Sequence, residues 1–298
     1  MQTLRKTVST QRHHDHREGE LIRHGGPNGE GEKPERWAVV GGGILGMTLA
    51  LRLRQQGKSV TLYEAADHFG GLADAWEFGG VEWDRHYHVT LLSDGHLREL
   101  LRELDLDDAM NWVETKTGFY TDDQWYSMSN SLEFLRFPPL NLIDKFRLGA
   151  TIFYASRLKD WRRLEKIPVT DWLTKLSGQR VFEKIWLPLL KAKLGENYRK
   201  ASAAFIWAII ARMYAARHSG LKKEMFGYLE GGYARMLAKF TLRLEAAGVD
   251  LQPGTPIESI SEENGLRVRL PGGIVERFDQ VAVTTPSSLA SKLCPGLS

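Results

Sequence analysis

The sequence predicts an α/β fold in which a parallel sheet flanked by helices is interrupted by a mainly helical insertion. Three observations carry this. A β-branched run at Trp37-Ala38-Val39-Val40 leads straight into Gly41-Gly42-Gly43-Ile44-Leu45-Gly46. A second apolar strand, Ser59-Val60-Thr61-Leu62-Tyr63, ends on Glu64. Between about Leu97 and Lys223 the apolar spacing is mostly helical, and strand patterns then return toward the C-terminus.

The first elements follow from side-chain chemistry. From Ile44 onward Leu45, Leu49 and Leu53 recur every four residues, and Gln55-Gln56-Gly57 closes the segment with a glycine, which is the pattern of a helix. Strand, helix and strand have the length of a βαβ crossover, so the unit reads as Rossmann-like. Gly41 permits the tight turn, Gly43 lets backbone approach a pyrophosphate, and Gly46 lets helix and strand pack. The helix start, at Ile44 and Leu45, offers unpaired N–H groups and partial positive charge to the phosphates. Glu64 stands 23 residues after Gly41, near the spacing at which a carboxylate meets ribose hydroxyls, and its charge would repel the extra phosphate of NADP. No Gly-Lys-Ser/Thr follows the glycines, which excludes a P-loop.

After Glu64, Ala65-Ala66-Asp67-His68-Phe69 leads to Gly70-Gly71-Leu72-Ala73, an extension that NAD dehydrogenases do not need. This glycine pair resembles the flavin-binding signature of the amine oxidase, protoporphyrinogen oxidase and phytoene desaturase superfamily. The resemblance continues through Gly79-Gly80 to His88, then in Gly231-Gly232-Tyr233-Ala234-Arg235-Met236-Leu237 and Gly254-Thr255-Pro256-Ile257. It implies a Rossmann-like domain holding non-covalent FAD. The contacts would come from Gly41, Gly43, Ile44, Leu45, Gly46, Glu64, Ala65, Gly70, Gly71 and Leu72, with the Ile257 backbone at the adenine. Many members have a basic residue where this chain has Leu72, so only a backbone contact carries over there. The implied activity is hydride transfer from an organic substrate to FAD. The alternatives are a flavin-dependent sugar-nucleotide mutase-like isomerase and a non-catalytic remnant. Members close with a further glycine-containing strand and helix, whereas this sequence ends at Ser298, so it reads as C-terminally truncated.

The expected organisation is a disordered polar leader over 1–36, a first part of the FAD-binding domain over 37–96, a helical substrate domain over 97–225 and a returning part over 226–298. Leu266 to Leu270 and Ile274 to Phe278 alternate around Pro271-Gly272-Gly273 as a hairpin, and Val281-Ala282-Val283-Thr284-Thr285-Pro286 reads as a further buried strand ending near the cofactor crevice. The leader lacks the apolar run of a signal peptide, and its His13-His14-Asp15-His16 tract reads as solvated chain, so no metal site is expected.

Catalytic side chains are less legible. His86 and His88 fall on one face if their segment is extended, and His88 is the candidate to face the isoalloxazine ring, against a simple hydrogen-bonded role. Most of the middle region's aromatics read as core, and its basic residues as solvated helix surface unless some converge on an anionic substrate. A formal net charge of +3, from 40 basic and 37 acidic residues, argues against a nucleic-acid partner and leaves a small-molecule substrate. The single cysteine, Cys294, excludes an internal disulfide framework and fits a cytoplasmic protein. No stretch is apolar enough for a membrane span, although Leu140 to Tyr154, mixing basic and apolar residues, leaves peripheral membrane contact open.

Overall fold

In the computed structural model β1 (Arg36–Val40) runs into α1 (Ile44–Gln55) and β2 (Ser59–Tyr63), with β1 and β2 parallel and in register from Arg36↔Ser59 to Val40↔Tyr63. The structure describes residues 33–116, 118–121, 123–128, 131–217 and 225–297; residues 1–32 of the expected 1–36 leader, with its histidine tract, lie outside them. A hairpin follows, β3 (Ala75–Phe78) and β4 (Val81–Asp84), then β5 (Thr90–Leu91) and α2 (Gly95–Glu103). The strands β6 (Met110–Glu114), β7 (Gly118–Thr121) and β8 (Gln124–Ser127) precede a run of helices. These are α3 (Ser131–Arg136), α4 (Leu142–Arg157), α5 (Val169–Ser177), the single turn α6 (Gln179–Val181), α7 (Leu187–Leu194) and α8 (Ala203–Arg217). The chain returns through β9 (Met225–Leu229), α9 (Gly232–Ala246), β10 (Asp250–Gln252), β11 (Ser259–Glu262), β12 (Leu266–Arg269), β13 (Val275–Phe278), β14 (Gln280–Val283) and α10 (Ser287–Leu293).

The organising element is a four-stranded parallel sheet in the order β10-β2-β1-β14. Its strands are apolar at consecutive positions because both faces are covered. Val39 and Leu62 point to a core with Met47 and Leu51 of α1 and Phe240 of α9, while Ala38, Val40 and Tyr63 meet Val268 and Phe278 of the antiparallel sheet β11-β12-β13. Burying each such side chain stabilises the fold by roughly 1.5–3 kcal/mol. The α2 leucines Leu100 and Leu101 join the first of these cores.

The middle region has its own core, where Trp172, Trp186, Leu173 and Ile206 are buried between α5, the π turn Phe182–Trp186 and α8. Trp186 Nε1 donates to Ser177 Oγ at 3.1 Å, which satisfies an indole N–H in an apolar setting. The helical periodicity missed β6, β7 and β8, at Met110–Glu114, Gly118–Thr121 and Gln124–Ser127. The alternation there is short and interrupted by Lys116 and Asp123, so no period of two emerges over a long enough window. Among the described residues no helix is long and apolar enough to cross a membrane, and no three metal-ligating side chains stand close enough to hold an ion.

Candidate functional site

The glycine loop lies at the C-terminal ends of β1 and β14. The Gly41 N–H donates to Tyr63 O at 2.9 Å, and Gly41 adopts φ +111°, which a side chain rarely tolerates. Thr284, just past β14, donates from Oγ1 to Gly41 O at 3.0 Å and so ties the neighbouring strand end to the loop. A Cβ on Gly46 would stand 1.8 Å from Gly41 O, so helix and strand meet only because that carbon is absent. Gly42 is equally constrained, since its Cβ would meet Phe69 Cδ1 at 2.4 Å.

Gly43 differs. Its φ of −73° is ordinary, and the nearest atom a Cβ would meet is Gly71 Cα at 4.0 Å, so nothing in the chain's own packing demands a glycine. Gly43 is also the N-cap of α1, with no side-chain cap and no acidic residue in the first turn. The α1 donors at Ile44 and Leu45 are left for a ligand of negative charge. Opposite them, the Gly70 N–H donates to Gly42 O at 2.9 Å, and Gly71 brings bare backbone to the same opening at φ +57°.

Glu64 ends β2 with both carboxylate oxygens engaged. Oε2 accepts from Gly42 N–H at 2.6 Å and Oε1 from Ala66 N–H at 2.9 Å, which fixes the carboxylate at the lip of the loop. The returning chain closes on this segment: Thr255 N–H donates to Glu64 O at 2.8 Å and Gly254 N–H to Ala66 O at 2.6 Å. Ile257 follows, half-buried, and among the described residues neither its N–H nor its carbonyl has a hydrogen-bond partner.

These segments enclose a cleft of about 660 Å³. Gly41, Gly43, Ile44, Leu45, Glu64, Ala65, Gly71, Leu72 and Ile257 line it, while Gly46 and Gly70 stand behind it as packing glycines. Leu45 and Leu72 are largely exposed within it. Thr285 lines it too, with a buried Oγ1 that has no hydrogen-bond partner among the described residues. Thr284, Thr285, Pro256 and Leu289 were not named as cofactor contacts from the sequence, although the strand through Thr284 and Thr285 was expected to end near the crevice. The available signal was the position of the two threonines at the C-terminal end of the strand beside β1, where ligands of parallel sheets bind. An uncapped helix start, bare glycine backbone, a fixed carboxylate and an unsatisfied hydroxyl suit a phosphate-bearing dinucleotide with a ribose.

Behind the glycine pair, His68 bonds through Nδ1 to Asp67 and through Nε2 to Asp74 at 2.9 Å, and Arg85 Nη2 reaches the same Asp74 oxygen at 2.7 Å. The bond to Asp74, with that to Asp67, holds the imidazole above its usual pKa. Burial alone would raise Asp74, but His68, the Ala75 N–H and Arg85 outweigh it and hold the carboxyl below its usual range.

The two histidines do not share a strand face, because β4 ends at Asp84 and residues 85–89 bend away. His86 is exposed. His88 stacks on Tyr233, with ring centroids 4.4 Å apart and 12° between planes, and its Nδ1 is 3.7 Å from Asp84 Oδ2. Asp84 Oδ1 accepts from the Tyr233 N–H at 2.9 Å and thereby caps α9. His88 is not among the residues lining the cleft. Of the middle region's basic residues, Arg157, Arg162, Lys191 and Lys193 are exposed away from it, Arg163 and Arg199 pair with Asp160 and Glu196, and Arg212 forms a two-bond pair with Asp94.

Comparison with known proteins agrees with this geometry. Residues 46–298 match the model of the family described as flavin containing amine oxidoreductase. The coproporphyrinogen III oxidase of Mycobacterium tuberculosis is 40% identical over 286 residues, an alignment covering 89% of this chain and 62% of that protein. The 15-cis-phytoene desaturase of Synechococcus elongatus is 21% identical over 275 residues, covering 83% of this chain and 55% of the desaturase. The chain thus spans about three fifths of the length of these relatives. Among solved structures, putrescine oxidase bound to putrescine superposes with a TM-score of 0.67 at 20% identity, over 88% of this chain and 60% of that one. A fatty acid isomerase from P. acnes superposes with a TM-score of 0.65 at 16% identity, over 87% and 61%. These structural likenesses show a shared fold, which alone does not fix the chemistry. With a family match across most of its length and a 40% identical relative, the chain belongs to the flavin-containing amine oxidoreductase family.

Proposed function

We propose that the chain holds FAD non-covalently in the cleft at the ends of β1 and β14 and serves an oxidase that removes a hydride from a porphyrinogen-type substrate. The observation that carries the cofactor reading is Gly43, a glycine that the fold itself does not require, placed at the uncapped start of α1. Gly41 and Gly46 shape this Rossmann-like turn, the N–H groups at Ile44 and Leu45 hold the pyrophosphate, and Glu64 and Ala65 meet the ribose. Gly70 and Gly71, with the Leu72 backbone, flank the phosphates, while the free N–H and carbonyl of Ile257 suit an adenine edge. The Cys294 thiol, held above its usual pKa by burial, is not in the cleft lining, which favours a non-covalent cofactor.

Bound FAD supplies the two-electron acceptor; the protein's own part is to hold it, orient the substrate and exclude water. The helical layer over 97–225 is the candidate substrate side, with 37–96 and 226–298 forming the cofactor side. His88, steadied by Tyr233 and Asp84, is the candidate for orienting a group near the ring. The porphyrinogen class rests on the 40% identity to a coproporphyrinogen III oxidase. We place the protein in the cytoplasm, whose reducing conditions suit a chain with one cysteine. The test is anaerobic mixing of the FAD-loaded chain with a porphyrinogen, an amine and a polyene. Bleaching of the flavin band by the porphyrinogen alone is the expected result; bleaching only by one of the others would overturn the substrate class.

A further inference from the structure

Two neighbouring threonines just past β14 stand in opposite states. Thr284 Oγ1 donates to Gly41 O at 3.0 Å and lies 3.1 Å from Val40 O, so its hydroxyl is engaged by the chain's own loop. Thr285 lines the cleft, yet its Oγ1 is shut away from solvent and has no hydrogen-bond partner among the described residues. A hydroxyl buried without a partner is a standing cost to the fold. Valine has nearly the same shape and the same branching at Cβ and would avoid that cost, so packing alone does not account for a threonine here.

The neighbours of Thr285 indicate which part of a ligand its hydroxyl meets. Around the β1–α1 turn the cleft lining is bare backbone and N–H donors, at Gly41, Gly43 and Ile44, which suit phosphate oxygens. At Pro256 and Ile257, and at Pro286, Leu289 and Leu293, the lining is apolar, which suits the faces of a base. Thr285 stands where the two kinds meet: Pro286 follows it in the chain, and its Cγ2 is 3.3 Å from where a Cβ on Gly41 would lie. A nucleotide joins the same two chemistries through its sugar.

We propose that Thr285 is a specificity-determining contact for the adenylate half of the cofactor, its hydroxyl bonding the sugar–phosphate link. The methyl branch faces Gly41, and a turn about Cα–Cβ exchanges it with the hydroxyl, which then gains the hydrogen bond that the chain does not supply. The assignment rests on the flavin reading and adds to it that adenylate alone suffices for the contact. ADP therefore competes with FAD for the cleft, and FMN, which has no adenylate, does not make this contact.

The test is calorimetric titration of the cofactor-free chain with FAD and with ADP, for the native protein and for Thr285→Val, Thr285→Ser and Thr284→Val, beside thermal unfolding of each without ligand. Thr285→Val should weaken FAD and ADP by the same factor, roughly fivefold to tenfold, and leave the unliganded Tm unchanged or higher. Thr285→Ser, which keeps the hydroxyl, should restore most of the affinity. Thr284→Val should lower the unliganded Tm, because it cuts the tie between the end of β14 and the loop. Native affinity for both ligands in Thr285→Val would overturn the proposal, as would a loss for FAD alone, which would put the hydroxyl at the flavin half. So would a fall in the unliganded Tm of Thr285→Val as large as that of Thr284→Val, because both threonines would then be structural. A native chain that binds ADP through Thr285 but takes up no FAD would overturn the flavin reading and support the adenylate contact.

Discussion

At the scale of single residues, one methyl group separates two kinds of glycine in the loop. Gly46→Ala would drive a carbon to within 1.8 Å of the Gly41 carbonyl. It should cost about 3 kcal/mol or more of stability and release any bound flavin with the lost packing. Gly43→Ala meets nothing closer than 4.0 Å. Thermal unfolding of the cofactor-free chain should then shift by less than about 1 kcal/mol while flavin retention falls, because the added carbon faces the cleft. Unfolding curves and flavin absorbance of the two variants check this contrast. The motif spacing made the packing role of Gly46 legible. It did not reveal that Gly42 is locked against Phe69, because that contact joins segments 27 residues apart.

Glu64 makes a third residue-scale test. Its carboxylate accepts from two backbone N–H groups, and Gln keeps one acceptor oxygen while turning an amide donor toward the other N–H. Glu64→Gln should lose about 1–2 kcal/mol of stability and weaken flavin binding, as denaturant titration and FAD titration would show.

At the scale of elements, the segment from Glu64 to Ala75 is held shut by His68, Asp74 and Arg85 behind the glycine pair. His68 has a raised pKa in the fold, so its contribution is full below its unfolded value and is lost as pH climbs through the folded one. Asp74 has a lowered pKa, so its contribution is present above its unfolded value and is lost as pH drops through the folded one. The pair therefore supports the loop best in mildly acidic solution and weakens above neutrality. Because the His68 side chain is about half exposed, the effect is modest. His68→Ala should flatten the fall in Tm on the alkaline side of neutrality; an unchanged slope would show that the pair does not set it.

Elements also differ in how well they could be read. β1, α1 and β2 were legible because a period, a glycine turn and a closing carboxylate agree within 30 residues. The β12–β13 hairpin was legible too, because alternation on both sides of Pro271-Gly272-Gly273 agrees with a turn between them. The strands β6 to β8 were not, because their alternation is short and interrupted, and because β6 finds its partner β9 more than 100 residues away while only β7 and β8 pair locally. That α4 buries Asp144, Lys145 and Thr151 and exposes Leu142, Ile143 and Phe146 was also hidden, since its 3.6-residue pattern says that one face differs from the other and not which is buried. The helix start itself is built locally: Asn141 Oδ1 accepts from the Asp144 N–H at 2.8 Å in a capping box. Asn141→Ala should cost about 1 kcal/mol by thermal unfolding.

At the scale of the whole molecule, the parallel order β10-β2-β1-β14 brings segments more than 200 residues apart to one edge, where Glu64, Gly43, Ile257 and Thr285 share a cleft. Most of the cleft lining was readable because Gly41, Gly43 and Gly71 and the carboxylate of Glu64 belong to segments with glycine signatures of their own. The part played by the middle region was not, because it depends on how aromatic and basic side chains divide between core and surface, and that division is decided by tertiary packing. The central claim is that this cleft takes FAD, and titration of the cofactor-free chain tests it most directly. Tryptophan fluorescence should saturate at about one FAD per chain, with NADP neither binding nor competing, since Glu64 opposes its extra phosphate. A folded chain that binds no FAD, or that binds NADP equally well, would contradict the account.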